Sequence, residues 1–412
     1  MTIQELNQNN DHFTIHNLPY GVFSTPTKSA RAGVAIGNYI VDLAKLFELN
    51  FFDGIIATNV FAQDALNDFI ALGKHTHLIV RQKLQTLLKE ESPFFQEYAS
   101  NFIYKQCEAK MHLPVRIGDY TDFYSSEEHA SNVGKMFRPN AAPLMPNWKH
   151  MPIAYHGRSS SIITTNTNIK RPNGQIIKSI LEDGTHEIIY SASKTLDIEI
   201  ELGFIIGKEN QLGTSINTGD ATDYIFGVVL LNDFSARDIQ RWEYQPLGPF
   251  LGKNFATSIS PWIIPYEALK EFLVDAPTQS TEVLPYLQEQ NRKNFDIEIT
   301  FEIETKEKQK GIAAVTNSKY LYWTAEQQIA HHTVNGCNLR IGDIFGTGTI
   351  SGKEKNSFGS LLELTWNGKE KIKIGNEERT FLQDGDTVIL SAVCKNEKIK
   401  IGFGELRNMI ME

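Results

Sequence analysis

Two segments of the chain alternate strictly between apolar and polar residues: TLDIEIELGFIIG, from Thr195 to Gly207, and FDIEITFEIET, from Phe295 to Thr305. Side chains two apart on a strand share a face, so each segment predicts a strand with one apolar and one acidic face. Between them IFGVVLLNDF is a continuous apolar run ending in polar residues, the pattern of a strand covered on both sides. Gly33 to Leu43 (GVAIGNYIVDL) reads as two short strands around a Gly-Asn turn. Helical spacing is sparser. Leu78, Leu84, Leu87 and Leu88 share a helical face in THLIVRQKLQTLLKE. SARDIQRWEY, after Asp233, is a second helix, with Ser235 as its candidate N-cap. Many strands, Gly/Pro/Asn turns and few long helices predict a mainly β (α+β) protein, a β-sandwich or β-roll.

The length of 412 residues suggests two or three domains. Residues 1–116 read as a separate smaller unit and 117–412 as a larger one. The polar stretch YKQCEAKMHLP, ending at Pro114, is the expected linker. A hydrophobic fraction of 41% and a charged fraction of 22% are globular values. A net charge of -9 argues against nucleic acid as a partner, because a phosphate backbone needs a basic face. A small anion remains open, since a local pocket can oppose the overall sign. Cys107, Cys337 and Cys394 are far apart and odd in number, so no disulfide framework is readable. The opening MTIQELNQNNDHF has neither the basic nor the apolar region of a secretory signal. The best apolar run, Tyr224 to Leu231, falls short of the ~20 residues that span a bilayer. The expectation is a soluble cytoplasmic protein with no membrane partner.

Candidate chemistry begins with the alternating strands. Glu199 and Glu201 point to the face opposite Ile198, Ile200 and Leu202. A buried carboxylate pair is costly unless a cation neutralises it, whereas a solvated pair is ordinary surface charge. Asp296, Glu298, Glu302 and Glu304 repeat the pattern, and the KEKQK turn after them favours the surface reading there. Asp233 closes the apolar strand just before a helix, as a ligand or as a cap. Arg237, Gln240, Arg241 and Tyr244 share one face of that helix and offer donors to an anion or to water. Asp122, Tyr124 and His129 crowd into DYTDFYSSEEH, and Arg138 follows in NVGKMFR. GTGTISG, Gly346 to Gly352, lacks the Walker lysine and dinucleotide spacing, so it reads as a tight turn. His331 and His332 are adjacent and make a poor metal pair on a helix.

Several long stretches together carry a resemblance: GDYTDFYSSEEHASNVGKMFR, LMPNWKHMPIAYHGRSSS, LDIEIELGFIIG, NDFSARDIQRWEYQPLGPFLGKNFATSISPW, and GTGTISG through FGSLLELTW. In this order, from residue 118 to 366, the chain resembles the fumarylacetoacetate hydrolase family. The resemblance implies an N-terminal SH3-like β-barrel, then a larger mixed β-roll/β-sandwich domain, in a homodimer. It implies Asp122, Glu199, Glu201 and Asp233 as metal ligands, with Lys253 and Thr257 nearby. Four carboxylates suit Mg²⁺ or Ca²⁺. His129 matches the family's general base, oriented by Glu363. Arg237, Gln240 and Lys253 match the groups around the developing oxyanion and leaving group. Tyr124, Arg138, Tyr155, Gln240, Tyr244 and Thr349 match positions that contact the substrate. The implied partner is a small diketo diacid, and the implied reaction cleaves a carbon–carbon bond of 4-fumarylacetoacetate to give fumarate and acetoacetate. Phe234 departs from the family's usual Trp, where altered packing is expected. Two alternatives stay open: a related diketo-acid or acylpyruvate hydrolase or decarboxylase, and a non-catalytic β-rich binding module. The module would leave His129, Glu363 and Lys253 apart in space.

Overall fold

The apolar run forms the strand Ile225–Asp233, buried at every position. Its place in the chain's largest sheet explains why it needs no polar face. Ile200–Ile206 pairs antiparallel along one side. Thr257–Ile259 and Trp262–Pro265 share the other. Beyond Ile200–Ile206 come Ile344–Gly346, then Tyr120–Phe123 in parallel, then Ala154–Gly157. This computed structural model describes residues 2–7, 12–89 and 92–412. Residues 8–11 of the polar N-terminal segment lie outside the described residues.

The second alternating segment supplies Glu298–Glu304, which joins a five-stranded sheet. Its neighbours are Lys310–Asn317 and Thr387–Lys395. Ile299, Phe301 and Ile303 share a core with Ile198, Ile200 and Leu202, so the apolar faces of both sheets meet. Full burial of each such side chain contributes ~1.5–3 kcal/mol. Phe234 is completely buried in this core, where a phenyl ring is accommodated. The acidic face of Glu298–Glu304 departs from the surface expectation at one position. Glu304 is buried, held by Arg407 at 2.8 Å and Lys308 at 2.9 Å. Side-chain cations therefore neutralise it.

The N-terminal domain precedes this larger domain and extends its main sheet, through pairing of Tyr20–Thr25 with Trp262–Pro265. Lys28–Ile36 and Tyr39–Asp42 form the expected hairpin, with Gly37 in the left-handed region at φ 55°. The helix Gly73–Lys89 buries Val80, Leu84, Leu87 and Leu88, and Leu78 is half-buried. The expected linker is a correction. Ile103–Lys105 pairs with Tyr39–Asp42, and Lys110–His112 pairs with Tyr20–Thr25. Three-residue strands are too short for alternation to register, which is why they read as polar coil. Among the described residues no helix is long and apolar enough to cross a membrane. The three cysteines are free.

Candidate active site

Three strands of the largest sheet deliver most of the acidic cluster. Asp122 lies in Tyr120–Phe123, Glu201 in Ile200–Ile206, and Asp233 ends Ile225–Asp233. Glu199 precedes its strand, and its carbonyl accepts the Asp233 N–H at 3.2 Å. All four carboxylates are buried, and their ligand atoms lie within 4.8 Å of one another. With the isoleucines of the segment turned into the core, Glu199 faces a cavity of about 250 Å³ that Asp122 also lines. The GTGTISG turn contributes in two ways. A Cβ on Gly346 would come within 2.9 Å of Asp122 Oδ1 and 3.0 Å of Glu201 Oε2. Gly348 N–H donates to Glu201 Oε2 at 3.1 Å, and its φ of +74° favours glycine.

Charge is distributed unevenly over the cluster. Lys253 Nζ donates to Glu199 Oε2 and, at 2.6 Å, to Asp233 Oδ2. Arg237 Nη2 donates to Glu199 Oε1 at 2.8 Å. Burial opposes ionisation of Glu199, but Lys253 and Arg237 hold its pKa down at about 2. Asp122 and Glu201 are different. Burial, reinforced by the negative neighbours, pushes both carboxyls well above the ordinary range. Asp122 Oδ1 and Glu201 Oε1 also find no hydrogen-bond partner among the described residues. A buried unsatisfied polar atom costs ~1–3 kcal/mol, more when charged. An all-oxygen donor set with two orphaned carboxylate oxygens fits a hard divalent cation.

Lys253 and Thr257 sit beside the cluster as donors. Burial disfavours the Lys253 ammonium, but Asp233 and Glu199 raise its pKa above the usual lysine value. An ammonium has no lone pair to give an ion, so Lys253 stands as a counter-charge. Thr257 Oγ1 donates to Asp233 Oδ1 at 3.0 Å, and Tyr155 OH to Asp233 Oδ2 at 2.9 Å.

His129 lines the same cavity, on the helix Glu127–Phe137. Its Nδ1 lies 2.7 Å from Glu363 Oε2. An ionised carboxylate only accepts, so Nδ1 carries the proton and Nε2 keeps the lone pair. Glu363 is fully buried on the short helix Leu361–Leu364. It also accepts from Asn132 at 3.0 Å and from the Ser351 and Ser360 hydroxyls at 2.9 Å. Burial works against its charge, yet His129 and these donors hold its pKa below the usual value. Gly134 lets the His129 helix close on its neighbour, since a Cβ there would lie 1.8 Å from the Pro143 carbonyl oxygen.

Tyr124, Tyr155, Gln240 and Thr349 line the cavity too. The Tyr124 ring stands edge-on to His129 at 5.3 Å. Gln240 Oε1 accepts from Arg237 Nη1 at 3.1 Å, while Arg237 itself lies behind Glu199. Three residues of the expected set sit elsewhere. Arg138 donates to the Pro143 carbonyl at 2.8 Å and does not line the cavity. Tyr244 is 44% exposed at the end of its helix, and Arg241 is exposed. Ser235 does not cap that helix. It remains in strand pairing, its hydroxyl donates to the Asp233 carbonyl, and Ala236 holds the cap position without a side-chain bond. His331 and His332 diverge, bonding Tyr286 and Thr121 respectively. The sequence reading missed Asn132, Ser351, Ser360 and Asp197. For Asp197 the signal was present, because it shares the strand parity of Glu199 and Glu201. A larger cavity of about 530 Å³ lies near Tyr20, Arg81 and Tyr266, and none of the acidic cluster lines it. On its wall Lys74 and Asp223 pair at 2.6 Å.

A family model described as Fumarylacetoacetate (FAA) hydrolase C-terminal matches residues 119–411. The chain belongs to the fumarylacetoacetate hydrolase family. A second model, Fumarylacetoacetase N-terminal, matches residues 16–114. The chain is 50% identical to fumarylacetoacetase of Dictyostelium discoideum, over 97% of this chain and 95% of the relative. It is 46% identical to the Homo sapiens fumarylacetoacetase, over 97% and 96%. A solved fumarylacetoacetate hydrolase from psychrophilic Exiguobacterium antarcticum shares the fold, with a TM-score of 0.54, 17% identity and coverage of 96% and 99%. Every residue of the acidic cluster and of the His129–Glu363 pair lies inside the fumarylacetoacetate hydrolase C-terminal match. As an enzyme of this family, the chain brings His129, Lys253, Asp122 and Glu199 to one cavity, where a binding module would scatter them.

Proposed function

We propose that the chain hydrolyses 4-fumarylacetoacetate to fumarate and acetoacetate in this cavity. The observation that carries the reading is convergence. His129 and Glu363 lie 234 positions apart in sequence, yet they form a buried pair beside the acidic cluster. In this reading Asp122, Glu199, Glu201 and Asp233 hold one Mg²⁺ or Ca²⁺. When bound, the cation supplies Lewis acidity to the keto oxygens of the substrate. His129 Nε2 takes a proton from water, while Glu363 fixes the tautomer and favours the imidazolium. The hydroxide adds to the carbonyl carbon, the carbon–carbon bond breaks, and the proton returns to the departing carbon. The Lys253 ammonium and the Gln240 amide donate to negative charge as it develops. Tyr124, Tyr155 and Thr349 offer hydroxyls to the diacid. Arg138, with one N–H on the Pro143 carbonyl, keeps further guanidinium donors for a substrate carboxylate.

A related acylpyruvate hydrolase would need the same cluster, so the substrate decides. The N-terminal match to a fumarylacetoacetase model favours the diacid, and it supports dividing the chain near residues 116 and 117. Purified protein with Mg²⁺ or Ca²⁺ is expected to remove fumarylacetoacetate absorbance and release equal amounts of fumarate and acetoacetate. No turnover, or a higher kcat/KM for an acylpyruvate, overturns the assignment.

The reading includes a homodimer. Pro249 lines the cavity, and around it Leu247, Phe250 and Leu251 are 98%, 65% and 45% exposed. An apolar patch bordering a site is a surface to be covered. Sedimentation is expected to give twice the chain mass of 46.6 kDa. A monomer at micromolar concentration removes this part.

A further inference from the structure

Asp197 is fully buried, does not line the cavity, and accepts hydrogen bonds from two directions. Its strand, Leu196–Asp197, pairs with Ser235–Ala236, which leads into the helix carrying Arg237 and Gln240. On that side Asp197 Oδ2 accepts from Arg237 Nε at 2.8 Å. The same guanidinium holds Glu199 with Nη2 and Gln240 with Nη1. On the other side Asp197 Oδ1 accepts Leu361 N–H at 2.8 Å, and Oδ2 accepts Leu362 N–H at 3.0 Å. Those two residues open the short helix whose next residue is Glu363. Ile198 N–H adds a further donor at 2.8 Å. One carboxylate therefore ties together the two halves of the site: the Arg237–Glu199–Gln240 group and the Glu363 that orients His129.

We propose that Asp197 is a positioning residue that holds both halves in register for the reaction. The proposal rests on the hydrolase reading above. All its contacts are N–H donors, which only a carboxylate can satisfy together. In Asp197→Asn one oxygen becomes an NH₂ facing donors. If the remaining oxygen keeps Ile198 and Leu361, then Arg237 Nε and Leu362 N–H lose their acceptor. Both branches loosen, with no atom removed from the cavity wall.

The test is kinetic, on the metal-loaded full chain. Asp197→Asn is expected to lower kcat by roughly 10–100-fold, the usual cost of losing an orienting partner, with a smaller change in KM. Metal content should match wild type. The cost should shrink in an Arg237→Ala background and in a His129→Ala background, because each has lost one branch. It should vanish when both substitutions are present, since nothing is left to orient. An equal cost in every background marks a general structural role and overturns the proposal, as does wild-type kcat in Asp197→Asn. A cost removed by one background alone overturns the two-sided role. If Asp197→Asn does not fold, Asp197→Ser carries the same cycle, with a hydroxyl acceptor and room for water. Absence of turnover in wild-type protein would instead count against the hydrolase reading.

Discussion

His129→Ala is expected to lower kcat by about 10²–10⁴, the share of a positioned general base. Fold and bound metal should survive, because His129 lies outside the cluster of ligand oxygens. The Glu363 contact sharpens the expectation. With Nδ1 committed to Glu363 at 2.7 Å, Nε2 is the nitrogen left for water. Glu363→Gln should also slow turnover, by less, since an amide oxygen still accepts from Nδ1 without stabilising the imidazolium. Its cost in stability should be the greater of the two. Glu363 accepts from Asn132, Ser351 and Ser360 as well, and an amide NH₂ must face one of those donors. Thermal melts beside steady-state rates separate the effects. The double variant should be hardly slower than His129→Ala alone, because an orienting partner then has nothing to orient. Near-normal turnover in His129→Ala, or single effects that simply multiply, rules the pair out as the proton-transfer unit.

The legible part of this site was the part written in strand periodicity. TLDIEIELGFIIG fixes Glu199 and Glu201 on one face, and the buried Ile225–Asp233 strand brings Asp233 beside them. Periodicity gives a face and not what covers it. Glu304 shares the alternation and ends in ion pairs with Arg407 and Lys308, whereas Glu201 keeps an orphaned oxygen. Lys308 comes from the adjoining KEKQK turn, but Arg407 approaches from another strand, which no local pattern encodes. The His129–Glu363 contact is of the same kind, because it depends on how two helices dock. The resemblance supplied it, and residue types alone did not. Motif position likewise does not register the bond from the Arg138 guanidinium to the Pro143 carbonyl. The edge strands at Ile103–Lys105 and Lys110–His112 were hidden by brevity.

Exhaustive chelation is expected to abolish turnover, and adding back Mg²⁺ or Ca²⁺ should restore it and raise the melting temperature. The thermal effect should grow with pH. Asp122 and Glu201 have folded-state pKa values raised well above their ordinary ones, first by burial and then by negative neighbours, Asp233 acting on Asp122, and Asp122 and Asp233 on Glu201. A raised carboxyl stabilises the fold fully below its unfolded value, ~3.9 for Asp and ~4.3 for Glu. That stabilisation is lost as pH rises through the folded value. The metal-free protein should therefore weaken between about pH 5 and pH 8. Glu199 has the opposite sign. Its folded value of about 2 gives a contribution lost only as pH falls from ~4.3 toward 2, so it is constant over that window. A divalent cation takes the place of the protons on Asp122 and Glu201, so its binding releases protons and strengthens as pH rises. At a cation concentration 100-fold above its Kd the gain is ~2.7 kcal/mol. Differential scanning calorimetry at both pH values, with and without cation, reads the difference directly. Glu201→Gln should reduce cation stabilisation and lessen the alkaline weakening of the metal-free protein, because the amide removes one of the two charges. A melting temperature indifferent to cation at both pH values, together with full activity after chelation, would remove the metal from the mechanism. A larger cation effect at pH 5 than at pH 8 would show that Asp122 and Glu201 are not the groups whose protons it displaces.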